Sequence, residues 1–188
     1  MATQELINIY TEATPNPETM KFVANRMILP DDSADFQTRQ AALKSPMAAK
    51  LFEFPFVNAV FIMNNFVTVT KLSTYEWFDI SPKLKEFVKE YLESGAEILL
   101  PTEEKVTNEN DSETVVKIKN MLDTYVKPAV EMDGGAITFQ SFEEGIVKVE
   151  LRGSCSGCPS STITLKAGIE NMLKRMVPEV EAVEAVAM

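Results

Sequence analysis

A polar, acidic stretch near the middle of the chain most strongly limits what this sequence can fold into. Residues 102–111 carry four carboxylates and a single apolar side chain, Val106. That is the composition of a linker rather than of a packed element. The segments on either side are each long enough to bury a small core of their own. The sequence therefore predicts two domains, at residues 1–100 and 112–188, joined by a linker at 101–111.

The first segment has signals for both a helix and a β-hairpin. Ser45 followed by Pro46 is typical of a helix start, with the serine as N-cap and the proline at the first helical position. Two mostly apolar runs, 57–63 and 66–70, flank Asn64–Asn65. Asn tolerates the positive φ of a tight hairpin turn better than most residues, so these runs are expected to pair.

A second helix is predicted to close the first segment. Ser81 and Pro82 repeat the start signal, and Gly95 supplies the stop. Between them the apolar residues recur at helical spacing, at Leu84, Phe87, Val88, Tyr91 and Leu92. Strand pieces are expected earlier in the segment, at residues 21–23 and 27–29.

The second segment predicts the order helix, strand, strand, helix, strand. A helix is expected from Ser112, with one apolar face formed by Val115, Ile118, Leu122 and Tyr125. Residues 133–135, Asp-Gly-Gly, then mark a turn. The predicted fold class is α+β, in two small domains that each pack helices on a sheet.

A hairpin and a further helix and strand are expected to complete the second segment. Glu144–Gly145 marks the hairpin turn, and the strand after it alternates Val147, Val149 and Leu151 with Lys148, Glu150 and Arg152. The next helix opens at Pro159 and is expected to carry Ile169, Met172, Leu173 and Met176 on one face. The last strand is expected to carry Val180, Val183 and Val186.

The chain contains two cysteines and no histidine. Cys–His catalysis, Ser–His catalysis and histidine-ligated metal sites are therefore excluded. Cys155 and Cys158 lie three residues apart in the turn between a predicted strand and a predicted helix, so both sulfurs can face one ion or cluster. Gly153 and Gly157 allow that turn to fold around a bulky ligand. Cys158 is expected to be the helix N-cap, where the helix dipole favours a thiolate and an anionic cluster.

Three kinds of site remain open for this Cys-x-x-Cys pair. A thiol–disulfide redox site usually lies at a helix start within a βαβ pattern, whereas a hairpin precedes this one. Structural zinc takes four ligands, and iron–sulfur clusters are commonly held by four cysteines. With two thiolates per chain, either metal site requires a symmetric pair of chains. The first hypothesis is a non-enzymatic iron–sulfur carrier, and the alternatives are a thiol–disulfide oxidoreductase and a zinc-stapled structural dimer.

Charge and hydropathy narrow the possible partners and location. The formal net charge is −10, which opposes binding to nucleic-acid phosphates and to anionic lipid surfaces. Residues 1–10 lack the basic, apolar character of a signal peptide, and no stretch approaches the roughly 18 apolar residues of a membrane span. These features predict a cytoplasmic protein that binds neither nucleic acid nor membrane.

Longer motifs around the cysteines resemble those of a known family. The C-terminal NifU-like domain of Nfu proteins is similar to this chain at residues 133–135, 147–151, 153–161, 164–170 and 177–180. The N-terminal Nfu domain is similar at residues 14–17, 21–22, 45–46, 48–52, 61–62 and 66–70. The family often has a second acid after the Asp-Gly-Gly turn, where this chain has Ala136. The resemblance covers nearly the whole chain.

The resemblance implies a function and a set of ligands. It implies an iron–sulfur cluster scaffold or carrier with a [4Fe–4S] cluster bridging two subunits, held by Cys155 and Cys158 of each. A [2Fe–2S] cluster could use the same four thiolates. The implied partners are a second copy when the cluster is bound, apo-iron–sulfur proteins as recipients, and upstream cluster assembly proteins. The N-terminal domain is implied to recognise the recipients.

Overall fold

The structure is a computed structural model that describes residues 6–101, 111–155 and 159–186, with their side chains except at positions 31 and 159–161. The chain divides into two compact units, Met1–Thr102 and Glu103–Met188. Each contains helices packed on a sheet, which confirms the predicted α+β class. Most of the predicted linker, residues 102–110, lies outside the described residues. Among the described residues, no helix is long and apolar enough to cross a membrane.

The described part of the first unit has one antiparallel sheet of order β1-β2-β5-β4-β3. Its strands are β1 (Ile9–Ala13), β2 (Thr19–Ala24), β3 (Leu29–Phe36), β4 (Val57–Asn64) and β5 (Phe66–Lys71). A 3-10 turn (Ala41–Lys44) and helices α1 (Pro46–Leu51) and α2 (Trp77–Glu93) lie between and after them. The predicted hairpin is confirmed as β4 and β5, and Asn64 at their turn has φ of 47°.

The predicted start of α1 is confirmed. Ser45 is the N-cap, its side chain accepts a hydrogen bond from the Ala48 N–H at 3.2 Å, and Pro46 opens the helix. The Ser45 hydroxyl also donates to the Ile98 carbonyl oxygen. Ser45 is fully buried, so both polar contacts are made away from solvent, where they count most.

The predicted start of α2 at Ser81–Pro82 is wrong. The helix begins at Trp77 with Glu76 as N-cap, and Pro82 lies inside it. Tertiary contacts override the Ser-Pro signal, because the Trp77 indole N–H donates to the Pro17 carbonyl oxygen at 2.9 Å and Ile80 is buried in the core. The predicted stop is confirmed, since Gly95 follows the helix with φ of 67°.

In the described part of the second unit, strands β6 (Gly135–Glu143), β7 (Ile146–Gly153) and β8 (Ala182–Val186) form a sheet of order β6-β7-β8. β6 and β7 are antiparallel, and β7 and β8 are parallel. The hairpin turn is where predicted, with positive φ at Glu144 and Gly145. Helix α5 (Pro159–Met176) connects β7 to β8. This confirms the order helix, strand, strand, helix, strand.

The helix that precedes the sheet is interrupted by a π-helical segment. Helix α3 (Glu113–Met121), with Ser112 as N-cap, is followed by π-helical residues Leu122–Val126 and by α4 (Lys127–Met132). A π turn adds a residue to the helical repeat. The side chain that faces the core is therefore that of Val126, which is buried. The side chain of Tyr125 is 61% exposed. The prediction that Tyr125 lies on the buried face is wrong.

Two apolar residues at element ends of the second unit are exposed. Met176, the last residue of α5, is 59% exposed, whereas Ile169 and Leu173 on the same predicted face are buried. Val186 is 42% exposed, and the predicted strand position Val180 is buried but precedes β8. Side chains at element ends project past the layer they pack on, so helical or strand periodicity is a poorer guide there.

Candidate functional site

Strand β7 delivers the first cysteine to a turn at the edge of the second unit. β7 ends at Gly153, residues Ser154 and Cys155 form a turn, and α5 begins at Pro159. This is the strand-to-helix connection that the sequence predicts for the Cys-x-x-Cys pair. Cys158 lies outside the described residues, so its role as a ligand stays a prediction.

Glycines allow the backbone to approach the Cys155 sulfur closely. Gly134 and Gly153 have φ of 80° and 68°, in the left-handed region that favours glycine. Gly135 pairs with Gly153 in the sheet. A Cβ added at Gly135 would lie 2.6 Å from the Arg152 carbonyl oxygen and 3.0 Å from the Cys155 sulfur. A side chain at this position would therefore push against the cysteine.

Two hydroxyl groups tie the Cys155 turn to its surroundings. The Ser154 hydroxyl donates to the Asp133 carbonyl oxygen, and the Ser154 N–H donates to the Gly134 carbonyl oxygen at 3.3 Å. On the other side, the Thr162 hydroxyl donates to the Cys155 carbonyl oxygen at 3.2 Å. The turn is thus joined to the end of α4 and to the first part of α5. Sequence reasoning missed both contacts, because they join residues whose proximity depends on the tertiary fold.

Cys155 belongs to the core of the second unit as well as to the turn. It is 6% exposed and packs in a cluster of buried residues that includes Ile137, Leu151 and Ile169. A thiol held this way has a fixed backbone and little room to move sideways. The core therefore positions the sulfur, and Gly135 allows the neighbouring strand to pack directly against it.

Arg152 does not point its charge into the turn. Its guanidinium donates two hydrogen bonds to the Glu150 carboxylate, from Nε to Oε1 and from Nη2 to Oε2, each at 3.0 Å. Gln140 donates to the same carboxylate at 2.5 Å. The pattern of β7 places Glu150 and Arg152 outward, but Glu150 is only 5% exposed. A bidentate pair of this kind neutralises both charges and stiffens the strand that leads to Cys155.

The turn offers a soft sulfur ligand beside the start of an 18-residue helix. The unsatisfied N–H groups and dipole at a helix start favour negative charge. Among the described residues, no group of three His, Cys, Asp or Glu side chains is placed to hold a metal ion. The whole sequence adds one more cysteine and no histidine. One chain therefore supplies two thiolates, half of a four-thiolate site.

Two family models match the chain on either side of the predicted linker. The model described as "Scaffold protein Nfu/NifU N terminal" matches residues 9–95. The model described as "NifU-like domain" matches residues 118–184, which include both cysteines. The matches thus cover most of the described sheets and helices of both units.

Curated relatives match along nearly the whole chain. A human protein named "NFU1 iron-sulfur cluster scaffold homolog, mitochondrial" is 43% identical over 183 residues, which cover 95% of this chain and 71% of the relative. The protein of the same name from Drosophila grimshawi is 43% identical, with coverage of 95% and 61%. "NifU-like protein 4, mitochondrial" from Arabidopsis thaliana is 42% identical, with coverage of 94% and 65%. The chain thus spans 61–71% of the length of these relatives.

The relatives' names differ from the sequence prediction in one respect. All three are described as mitochondrial, whereas the composition of residues 1–10 predicts a cytoplasmic protein.

A solution NMR structure of a NifU-like protein from Saccharomyces cerevisiae also aligns with the chain. It is 25% identical, covers 55% of this chain and 92% of that one, and has a TM-score of 0.48.

Proposed function

This chain belongs to the Nfu family of iron–sulfur cluster scaffold proteins, and from that premise we propose that it holds a [4Fe–4S] cluster between two copies of itself and passes it to apo-proteins. The cluster is cargo, so the protein is a carrier and not an enzyme. The proposed ligands are Cys155 and Cys158 of each copy. A [2Fe–2S] cluster held by the same four thiolates is the variant form.

The position of Cys155 is the observation that carries this proposal. Its sulfur is held by core packing at the strand-to-helix turn, and the backbone of Gly135 packs close to it. A cluster shared between two chains needs ligands whose positions are fixed by the fold. The nearby start of α5 adds favourable electrostatics for an anionic cluster.

Stoichiometry supports a cluster shared between two copies. Four thiolates close a cluster, and each chain has two cysteines and no histidine. A two-fold axis through the cluster supplies the missing pair. A cluster bound at such an interface is released when the two copies separate. This suits a protein that must pass its cargo on.

The other parts of the chain receive roles consistent with this proposal. The domain at 112–188 carries the cluster, the linker at 101–111 connects the domains, and the domain at 1–100 recognises recipients. Upstream assembly proteins load the cluster, and apo-iron–sulfur proteins receive it. The cytoplasmic location stays a prediction from sequence composition.

Anaerobic reconstitution tests the proposal. The protein is incubated with iron and sulfide, and its metal content and mass are then measured together. We expect a brown species with roughly four irons per two chains that returns to monomer when the iron is chelated. Cys155→Ser and Cys158→Ser should each bind less than about a tenth of the wild-type iron, because one lost thiolate per chain removes two of the four ligands.

Folding of the variants is checked by thermal unfolding of the apo-proteins, since Cys155 is buried. Stoichiometric cluster in either variant would contradict the ligand assignment. A colourless dimer that retains zinc would support the zinc-stapled dimer, and a monomer with a reversible disulfide would support the redox protein.

A further inference from the structure

Two exposed apolar side chains flank the Cys155 turn. Met132 is 75% exposed and immediately precedes Asp133, whose carbonyl oxygen accepts the Ser154 hydrogen bond. Ile163 is 69% exposed and immediately follows Thr162, whose hydroxyl donates to the Cys155 carbonyl oxygen. Each of these residues is thus next in sequence to a residue that is hydrogen-bonded to the turn. We refer to Met132 and Ile163 together as the loop rim.

The apolar character extends along α4 beside the rim. Pro128 and Ala129, like Met132, are exposed and carry no charge, so the outer side of this short helix is largely apolar. The chain as a whole has 24% charged residues. Exposed apolar groups that gather beside a binding site are typical of an interaction surface.

We propose that the loop rim is the contact surface on which a second copy of this chain docks when the cluster is bound. This inference rests on the proposed function. A cluster held by Cys155 and Cys158 of two chains requires the two turns to face each other across it. The side chains that flank one turn then meet the side chains that flank the other, and a two-fold axis buries Met132 and Ile163 of both copies.

The size of the rim fits a pair of chains that forms only with cargo. Two side chains per copy bury far less than the roughly 1,200–2,000 Å² of a stable protein interface. The rim alone does not hold the copies together. It adds apolar burial to the cross-link that the cluster supplies, and it shields the cluster from water and chelators.

Lysine substitutions distinguish an apolar contact at the loop rim from an electrostatic effect on the cluster. A lysine beside an anionic cluster attracts it and makes an acidic chain less negative, so electrostatics alone would favour holding the cluster. At a two-fold contact, however, Met132→Lys and Ile163→Lys together place four cations where apolar burial is expected. The matched control is Met176→Lys, at an exposed position on the same helix as Ile163, about 20 Å further along the axis.

The experiment uses the full chain, reconstituted anaerobically, and measures mass and the rate at which a chelator removes iron. We expect the Met132→Lys/Ile163→Lys protein to lose its cluster at least about 10-fold faster than wild type and to show less dimer. Met176→Lys should match wild type within about twofold. All apo-proteins should unfold at the wild-type temperature, because exposed substitutions change stability little.

Other outcomes would overturn the inference. An unchanged dimer and chelation rate in the double variant would reject the loop rim while leaving the bridged cluster intact. An equal effect from Met176→Lys would show that the position is unimportant and would also reject it. A wild-type protein that binds no iron, or binds it as a monomer, would reject the rim and the proposed function together.

Discussion

Gly135, a residue without a side chain, most directly limits the surroundings of the Cys155 sulfur. A Cβ at Gly135 would lie within 3.0 Å of both the Arg152 carbonyl oxygen and the Cys155 sulfur. Contacts that short cannot be relieved by a side-chain rotation alone, because one of the two atoms belongs to the backbone of β7. The packing of the neighbouring strand against the sulfur therefore depends on the absence of a side chain at one position.

Gly135→Ala should reduce both stability and cluster binding. We expect a cost of about 1–3 kcal/mol in the free energy of unfolding, as for overpacked core sites, and a lower iron content after reconstitution. Gly168→Ala is the matched control, since a Cβ there meets nothing within 4 Å. It should stabilise α5 by about 0.5–1 kcal/mol. Urea unfolding of the apo-proteins measures both, and equal effects at the two glycines would contradict the prediction.

The sequence predicted some of the residues at the site and missed others for a physical reason. Cys155 and Gly153 stand together in one short motif, so their spacing on the chain was enough to place them in the strand-to-helix turn. Ser154 and Thr162 were missed, because a hydroxyl has many possible partners and only the folded chain selects one. Alternation in β7 places Arg152 opposite the apolar residues, but the pattern alone does not indicate that Arg152 pairs with a buried Glu150 carboxylate.

At the scale of elements, the Glu170 carboxylate on α5 accepts a hydrogen bond from the edge strand β8. Glu170 on α5 accepts hydrogen bonds from the Lys174 ammonium at 2.7 Å and from the Val183 backbone N–H at 3.1 Å. β8 ends the sheet formed by the described residues, so this N–H would otherwise lack a strand partner. The hydrogen bond from Lys174, and then that from Val183, lowers the pKa of Glu170 below its ordinary value.

Glu170→Gln should destabilise the apo-protein at neutral pH but not in acid. Because the pKa of Glu170 is lowered in the folded chain, its charged form contributes stability above the ordinary glutamate pKa of about 4.3. That contribution is lost as the pH falls through the lowered folded-state value, where the carboxyl becomes neutral like glutamine. Thermal unfolding from pH 7 to pH 3 measures the difference between the two proteins. A difference independent of pH would count against a role for the charge.

Element order was predictable from the sequence, but element boundaries were less so. Alternation in β7 and helical spacing in α5 arise from local geometry, and both elements appear where expected. The start of α2 was misplaced, because the contacts of Trp77 and Ile80 outweigh a local Ser-Pro signal. The π-helical segment was not anticipated, since no residue type marks it. It moved the buried position by one residue, to Val126.

At the scale of the whole molecule, charge opposes the pairing that the proposed function requires. Each chain has a formal net charge of −10, and two copies must approach around a cluster whose thiolate ligands are also negative. Repulsion between like-charged bodies weakens as salt shortens the screening length, from about 30 Å at 0.01 M to 10 Å at 0.1 M. Cluster-bridged pairs should therefore be more stable at higher ionic strength.

Raising sodium chloride from about 10 to 100 mM, over which the screening length falls from about 30 to 10 Å, should slow cluster loss to a chelator by roughly two- to fivefold. Sedimentation of the cluster-bound protein should show more dimer over the same range. The apo-protein serves as the control, since without the cluster no comparable change in mass is expected. Faster cluster loss at high salt would show that attraction between the copies, rather than repulsion, dominates.

The glycines around Cys155 also make the site convenient to observe by magnetic resonance. The chain has seven glycines; those at 134, 135, 153 and 157 surround the two cysteines in sequence or space, while those at 95, 145 and 168 lie in other elements. Backbone amides of glycine resonate in a region of the nitrogen spectrum largely their own. A sample labelled only at glycine would therefore report on the turn through four signals, with the other three as internal references. Such a spectrum follows loading and release of the cluster in the full chain without a tag or a substitution, through shifts or loss of these four signals.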